Sequence, residues 1–160
     1  MAPFRICFVC LGNICRSPLA EAVLLQLAQV RGLGDRLQIA SRGTGDWHLG
    51  QPADPRMQAA ATRHGISMST RAELFEEEDF ADFDLLLCMD RARLEELERR
   101  MPPKVSSRVT LFRDYDPDPQ HSPDVPDPYY GGENGFEEVY QIVERTCVDL
   151  LDRFERGDLP

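Results

Sequence analysis

Two cysteines and an arginine lie close together near the start of the chain, in the stretch CLGNICRS. Cys10 and Cys15 flank a short segment that contains a glycine, and Arg16 follows the second cysteine directly. Cysteines spaced in this way could hold a metal, form a disulfide, attack a substrate or simply pack in a core. The secondary structure around the stretch decides among these alternatives.

The stretch lies between a predicted strand and a predicted helix. Residues 4–9 (FRICFV) are rich in β-branched and aromatic side chains, which is typical of a buried strand. In the helix that follows, Ser17 suits the N-cap, Pro18 the first helical position and Glu21 the first turn. Gly32 suits the end of this helix.

A strand-to-helix turn of this kind favours an anion. Unpaired backbone N–H groups and the helix dipole make a site that commonly holds phosphate. Arg16 adds a planar guanidinium that can bind two phosphate oxygens. A Walker-type loop has lysine before its hydroxyl residue, whereas Arg16 precedes Ser17 here, so nucleoside triphosphate binding is disfavoured. The same N–H groups, with the Ser17 hydroxyl, would stabilise a Cys10 thiolate, which is a nucleophile for phosphoryl transfer.

Phosphoryl transfer to a cysteine also needs a proton donor for the leaving oxygen, and a carboxylic acid is the natural one. A proline- and aspartate-rich loop predicted over 113–135 contains PDVPDPYYGG, in which Asp127 lies between two prolines that restrict its backbone. Tyr129 and Tyr130 follow and could line a slot for an aromatic substrate. Asp-Pro pairs are also common in turns, so a purely structural role is the alternative for Asp127.

The rest of the chain alternates strands with helices. Further strands are predicted over 37–41, 84–89 and 108–112, and helices over 55–65, from Asp90 to before Pro102, and over 136–156, with a short helix plus turns in the acidic stretch 71–83. This alternation predicts one α/β domain over 1–160, a doubly wound four-stranded parallel sheet of order 2-1-3-4 with helices on both faces. In such folds the ligand crevice lies at the carboxyl ends of the strands, where Cys10, Ser41, Trp47 and Asp90 would meet.

Charge and composition narrow the class of partner. The chain has 18 Lys+Arg against 28 Asp+Glu and a net charge of -10, which argues against nucleic acid or an anionic membrane as the main partner. The N-terminal apolar run is short and lacks a cleavage site, so we predict no signal peptide, and no stretch is long enough to span a bilayer. Five cysteines without an export signal indicate a reducing, cytoplasmic setting.

CLGNICRS near one end and DPYYGG near the other together resemble the low-molecular-weight protein tyrosine phosphatase family. The stretches GDWHLG, DPRM, HGI and LLLCMD follow in the family's order, so the resemblance covers nearly the whole chain. It implies hydrolysis of protein phosphotyrosine and aryl phosphates through a cysteinyl-phosphate, with no metal and no cofactor. The expected partners are phosphotyrosyl proteins, and a monomer is expected, with weak self-association left open.

The same resemblance implies roles for individual residues. Cys10 would be the nucleophile, Arg16 the phosphate clamp, and Asp127 the general acid and then the base. Cys15 would form a reversible disulfide with Cys10 under peroxide, although simple packing under the loop remains the alternative. Phosphate or substrate contacts are expected from Leu11, Gly12, Asn13, Ile14, Cys15, Ser17, Trp47, Tyr129 and Tyr130, and support of the loop from Asn13, Ser17, Ser41 and Asp90.

The sequence departs from the family pattern at two positions. Arg42 stands where many members carry a small residue, and Thr70 stands where eukaryotic members often have a histidine linked to the loop. That part of the supporting network therefore stays open.

Two other functions are considered. An arsenate reductase of the same fold would relay a disulfide through cysteines after the third strand; Cys88 could match the first of them, but residues 89–101 contain no cysteine. A metal or redox binding module could use Cys7, Cys10 and Cys15. Structural zinc usually has four ligands, however, and a strand sends residues 7 and 10 to different faces.

Overall fold

Four strands form one parallel sheet in the order β2-β1-β3-β4 in the computed structural model, which describes residues 2–129 and 131–160. The strands are β1 (Phe4–Cys10), β2 (Leu37–Gly43), β3 (Leu85–Cys88) and β4 (Arg108–Leu111). The α/β fold and the strand order predicted from the sequence are confirmed. β1 and β2 extend one and two residues beyond their predicted ends, β3 is one residue shorter at each end, and β4 ends one residue early.

Five helices cover the sheet, with two 3-10 turns between them. They are α1 (Arg16–Val30), α2 (Pro55–Arg63), α3 (Asp79–Asp82), α4 (Arg91–Arg100) and α5 (Glu133–Arg156), and the 3-10 turns are Gly34–Arg36 and Phe112–Tyr115. The predicted loop over 113–135 is therefore shorter at both ends. Among the described residues, none of the helices combines the length and the apolar character that a membrane span requires.

The two faces of β1 pack against two separate hydrophobic cores. Ile6, Phe8 and Cys10 point to a core shared with α1, α2 and α5, whereas Cys7 and Val9 point to a smaller core beneath α3 and α4. This alternation follows from the period of two in a strand. Because β1 is covered on both faces, five of its seven residues are buried, and it reads as a continuous apolar run.

Helix α5 packs on the larger core through one apolar stripe. Its buried side chains include Phe136, Val139, Tyr140, Val143, Cys147, Leu150 and Leu151. Each large apolar side chain buried in this way contributes about 1.5–3 kcal/mol. The helix ends where Gly157 adopts a left-handed φ of 76°, a conformation that glycine reaches without steric cost.

Helix α1 begins one residue earlier than its predicted N-cap. Cys15 holds the N-cap position, so the assignments of Ser17 to the N-cap, Pro18 to the first helical position and Glu21 to the first turn are wrong. The Ser17 side chain does not cap the helix because it bonds within the loop. Pro18 is still tolerated, because the first N–H groups of a helix have no intrahelical acceptor. The end is as predicted, with Gly32 at a left-handed φ of 72°.

Candidate active site

The segment from Cys10 to Ser17, here called the phosphate loop, joins the last residue of β1 to the first turn of α1. It turns back at Asn13, whose φ of 56° is left-handed, a region that asparagine visits more readily than most residues. The turn directs the Asn13 N–H to the Cys10 sulfur at 3.3 Å. The Ser17 Oγ lies 2.9 Å from the same sulfur. The Asn13 N–H and the Ser17 hydroxyl thus both lie within hydrogen-bonding distance of the Cys10 sulfur.

The Asn13 side chain ties the phosphate loop to its surroundings. Its Nδ2 donates to Ser17 Oγ at 2.8 Å and to Ser41 Oγ at 2.9 Å, and its Oδ1 accepts from the Glu73 backbone N–H at 2.9 Å. Because Ser17 Oγ accepts from Asn13, its own hydrogen can go to Cys10. Three of the four residues predicted to support the loop, Asn13, Ser17 and Ser41, belong to this cluster.

Gly43 allows β2 and the segment after it to approach the loop. A Cβ at Gly43 would lie 3.0 Å from both the Asn13 Cβ and the Leu11 carbonyl oxygen, closer than side chains normally pack. The Gly43 backbone also pairs with Glu73 and Phe75. This pairing brings the Glu73 amide to Asn13, a contact that the sequence did not indicate.

Glu21 is a second residue of the network that sequence reasoning missed. It is buried on α1, and Ser41 donates a hydrogen bond of 2.6 Å to its Oε1. Burial raises the pKa of Glu21, against the Ser41 hydrogen bond and the charge of Arg42, which favour ionisation. The available signal was its spacing one turn after Ser17 on the same helix, but that spacing was interpreted as helix capping.

Arg42 is held away from the phosphate loop. Its guanidinium forms ion pairs with Glu73 at 3.3 Å and Asp79 at 3.5 Å, and lies over the Phe83 ring. Its Nη1 also donates to the Ser41 carbonyl at 2.8 Å, and its own main-chain oxygen accepts from Ser17 Oγ at 3.4 Å. The large residue at this position is therefore accommodated by the acidic segment that follows β2.

Arg16 is almost completely buried beneath the cavity. Its Nη1 donates to Asp90 Oδ2 at 2.9 Å and to the Val125 carbonyl at 3.0 Å, while Nη2 lies 3.6 Å from Asp127 Oδ2. Burial alone would lower the pKa of Arg16, but Cys10, Asp90 and Asp127 outweigh it and raise the pKa. The guanidinium is therefore charged and oriented. Asp90 also caps α4 as predicted, by accepting from the Arg93 N–H.

Asp127 lies on the segment 116–129, here called the acid loop. This loop meets the end of β3 through the Val125 N–H, which donates to the Met89 carbonyl at 2.8 Å. Asp127 itself remains 41% exposed and accepts from the Tyr129 N–H at 3.1 Å. Its carboxylate is therefore near the Arg16 guanidinium and open to solvent.

Ionic anchors outside the cavity hold the acid loop. Asp116 has a fully buried side chain and accepts from Arg113 and from the Arg145 guanidinium of α5. Burial would raise the pKa of Asp116, but these partners outweigh it and hold the pKa below its usual range. Arg113 also donates to the Asp124 carbonyl at 2.8 Å, and Asp124 pairs with Arg91. None of these anchors was predicted.

A cavity of about 350 Å³ opens above the phosphate loop. Trp47 stands at its rim and is 68% exposed, whereas the ring of His48 lies between Gly12 and Tyr129. Tyr130 lies outside the described residues. The lining consists of Cys10, Leu11, Gly12, Ile14, Cys15, Arg16, Trp47, His48, Asp127 and Tyr129.

The five cysteines are all free and buried. Cys15 lines the cavity, and burial raises its pKa. Cys7 belongs to the opposite core from Cys10, so the three thiols of the metal or redox module do not converge. Among the residues that the structure describes, no cluster of His, Cys, Asp or Glu could hold a metal ion. Cys88 is fully buried in β3 and has no access to the cavity, and arsenate reduction is not favoured.

Comparisons with known proteins agree with this geometry. The family model for low molecular weight phosphotyrosine protein phosphatase matches residues 5–158. A low molecular weight protein-tyrosine-phosphatase of Streptomyces coelicolor is 44% identical over 150 residues, covering 92% of each chain. The human low molecular weight phosphotyrosine protein phosphatase is 41% identical, covering 92% of this chain and 94% of the human one.

Solved structures give the same result. A protein tyrosine phosphatase from Entamoeba histolytica superimposes with a TM-score of 0.92 at 37% identity, covering 98% of this chain and 99% of the other. The match of sequence and fold extends over nearly all of the chain. The chain therefore belongs to the low molecular weight phosphotyrosine protein phosphatase family.

Proposed function

We propose that this protein hydrolyses protein phosphotyrosine and aryl phosphates through a cysteinyl-phosphate intermediate. The observation that carries the proposal is one cavity lined by Cys10, Arg16 and Asp127, which supply a nucleophile, a cation and a carboxyl group. Family membership, with relatives named phosphotyrosine phosphatases, supports the substrate class. Phosphotyrosyl proteins are the proposed partners.

In the first step the Cys10 thiolate attacks phosphorus. The S–P bond forms while the bond from phosphorus to the tyrosyl oxygen breaks, and Asp127 transfers its proton to that oxygen. Arg16 and the phosphate-loop amides bind the equatorial oxygens, where charge is spread in the transition state. The fixed orientation of Arg16 by Asp90 and Val125 means that little reorganisation is required when phosphate arrives.

In the second step water attacks the phosphocysteine. The S–P bond breaks, Asp127 accepts the proton of the water, and inorganic phosphate leaves while Cys10 returns as a thiolate. The partial exposure of Asp127 suits this exchange with solvent. The Asn13 N–H and the Ser17 hydroxyl, both already on the sulfur, stabilise the thiolate as a leaving group.

The walls of the cavity favour an aromatic leaving group. Trp47, His48 and Tyr129 present flat rings around the opening, with Ile14 among the apolar residues of the lining. Offset stacking of rings adds about 0.5–1.5 kcal/mol beyond the burial of area. We therefore propose phosphotyrosine rather than the shorter alkyl phosphate of phosphoserine. A cytoplasmic location and a monomeric state, predicted from the sequence, remain part of this proposal.

The proposal is tested with p-nitrophenyl phosphate and a phosphotyrosyl peptide. Cys10→Ser should abolish turnover of both substrates. A matched control is Cys147→Ser, because Cys147 is also buried and donates to the Ala20 carbonyl away from the cavity; this variant should retain activity. Acid quenching during turnover should trap one phosphoryl group on the wild-type chain. Equal activity of Cys10→Ser and wild type would end the mechanism.

We also propose that Cys15 protects Cys10 from irreversible oxidation. Peroxide would convert the Cys10 thiolate to a sulfenic acid with release of hydroxide. The Cys15 thiol would then attack that sulfur, forming the S–S bond and releasing water. Both residues line the same cavity. Because the pKa of Cys15 is raised by burial, we expect ring closure to be slow at neutral pH.

The test of this role compares recovery after peroxide and a thiol reductant. Wild type should regain its activity, whereas Cys15→Ala should lose it permanently through further oxidation of Cys10. If Cys15→Ala recovers as fully as wild type, Cys15 is a packing residue and the disulfide proposal fails.

A further inference from the structure

A second cavity lies away from the candidate active site, between the outer face of α1 and the segment 65–70. Its volume is about 250 Å³, just below the range of about 300–1,000 Å³ for pockets that hold drug-sized ligands. It is therefore sized for a small molecule. Its polar lining includes Glu21, Gln26, Gln29, Ser67, Ser69 and Thr70.

Glu21 gives this cavity its chemical character. The residue is only 8% exposed and accepts a hydrogen bond from Ser41. Among residues 2–129 and 131–160 no lysine or arginine forms an ion pair with it, although the charge of Arg42 favours its ionised form. A carboxylate has about four acceptor sites, of which Ser41 occupies one. A buried carboxylate with no cation in direct contact is costly in its ionised form, and for Glu21 burial outweighs the charge of Arg42. The site therefore has an unmet preference for positive charge.

The rest of the lining suits a planar cation with several N–H groups. Carbonyl and hydroxyl oxygens of Gln26, Gln29 and Thr70 can accept hydrogen bonds that Glu21 does not take. Leu25 and Met68 provide apolar contact for the faces of a flat group. The net charge of -10 also raises the local concentration of cations.

We propose that this cavity binds a small planar organic cation with N–H donors, of the guanidinium class, on the Glu21 carboxylate. A guanidinium can present two parallel N–H groups to one carboxylate, which a compact ammonium cannot do. The class follows from the chemistry of Glu21 and the size of the cavity, and it is independent of the phosphatase reaction.

The cavity is connected to Cys10 by consecutive hydrogen bonds. Ser41 donates to Glu21 at 2.6 Å, Asn13 donates to Ser41 at 2.9 Å and to Ser17 at 2.8 Å, and Ser17 Oγ lies 2.9 Å from the Cys10 sulfur. A bound cation keeps Glu21 ionised, so Ser41 must donate to it. A protonated Glu21 could instead donate to Ser41 and reverse that bond. Occupancy of the cavity therefore acts on the Ser41 hydroxyl, which accepts from the Asn13 amide.

The test uses methylguanidinium as the probe and amide chemical shifts as the readout. N-methylurea is the matched neutral probe, because it has nearly the same shape without the charge. At constant chloride concentration, methylguanidinium should cause saturable shifts at Gln26 and Thr70. N-methylurea should bind at least about tenfold more weakly, since hydrogen bonds to charged groups are the stronger ones.

Variants of the cavity separate this site from nonspecific cation binding. Glu21→Gln keeps the shape and should weaken methylguanidinium binding by at least about tenfold. Ala22→Phe should fill the cavity and block binding without touching Glu21. Asp152→Asn is the control, because it removes a carboxylate that pairs with Arg31 outside the cavity, and its affinity should match wild type.

Two results would overturn the site: unchanged affinity in Glu21→Gln, or shifts confined to the aromatic cavity of Trp47 and Tyr129. The connection to the phosphate loop has its own readout. Saturating methylguanidinium should shift the Asn13 and Ser17 amides and change kcat/KM by about fivefold, at the low end of typical couplings between sites. Binding that leaves both unchanged would overturn that connection. Binding can be measured on protein with no phosphatase activity, so failure of the proposed function is distinguishable.

Discussion

The phosphate loop and the acid loop face each other across one cavity, yet they are held in different ways. The phosphate loop is buried, and its support is a set of short hydrogen bonds from Asn13 to Ser17, Ser41 and Glu73. The acid loop leaves Asp127 41% exposed, and its support comes from ion pairs centred on Asp116. The phosphate loop is thus held by hydrogen bonds of the Asn13 amide at the site itself, and the acid loop by ion pairs outside the cavity.

This difference matches the two kinds of work proposed for the site. A nucleophile and its phosphate clamp must be oriented before substrate arrives, because preorganised dipoles are what stabilise a transition state. A group that acts first as acid and then as base must exchange protons with a leaving group and with water. A solvent-accessible carboxyl on an anchored loop meets that requirement.

Among these tests, removal of the proposed general acid, Asp127, should cause the largest loss of activity. Asp127→Ala should lower kcat by roughly 10²–10⁴, the usual contribution of a positioned acid or base. The control is Asp124→Ala on the same loop, whose carboxylate pairs with Arg91 outside the cavity; its kcat should fall much less. A loss smaller than about tenfold for Asp127→Ala would make it the wrong acid.

The support of the phosphate loop is tested at Asn13. Asn13→Ala and Asn13→Gly both remove the side chain that holds Ser17 and Ser41, and both should lower kcat by about 10- to 100-fold through misplacement of the reacting groups. Only alanine is strained at the φ of 56°, so its free energy of unfolding should be lower than that of the glycine variant by about 1–2 kcal/mol. Chemical denaturation measures the difference.

These two variants separate the side chain from the backbone. Equal kcat values with unequal stability would assign the catalytic effect to the amide network. If Asn13→Gly retains full activity, the network around Asn13 is structural only, and the contrast between the two loops loses its functional meaning.

The sequence predicted the phosphate loop better than it predicted the ion pairs that hold the acid loop. The phosphate loop is contiguous, so the identity and spacing of Cys10, Arg16 and Ser17 carry its geometry. Asp127 was identified because it lies between two prolines and because phosphoryl transfer to Cys10 requires a proton donor. Asp116 and Arg145 are 29 residues apart, and each alone is an ordinary charged residue. Their pairing depends on how α5 packs, which no local pattern encodes.

The start of α1 was also predicted wrongly, because tertiary contacts decided it. Ser17 and Pro18 have the residue types of a cap and a first helical position, yet α1 begins at Arg16. The Ser17 hydroxyl has better partners in Asn13 and Cys10 than in the helix backbone. A functional loop at the end of a strand therefore overrode a local capping preference. The prediction that Glu21 lies in the first turn of α1 was wrong for the same reason.

The support of the acid loop is tested at Asp116. Asp116→Asn removes the charge that pairs with Arg113 and Arg145, so the acid loop should become less well placed. The expected loss in kcat is about tenfold for phenyl phosphate and smaller for p-nitrophenyl phosphate, because a more basic leaving group depends more on protonation. Asp149→Asn, which breaks an ion pair with Arg153 within α5, is the matched control. Equal losses for both substrates would indicate general destabilisation.

The same variant should alter the dependence of stability on pH. Because the pKa of Asp116 is held below its usual range, its contribution is fully present above the pKa in the unfolded chain, about 3.9. It is lost as pH falls through the lower pKa of the folded state. The difference in free energy of unfolding between wild type and Asp116→Asn should therefore be largest near neutral pH and shrink below pH of about 4. Denaturation at several pH values measures this difference, and one that stays constant down to the acid limit would show that the ion pairs around Asp116 do not anchor the acid loop.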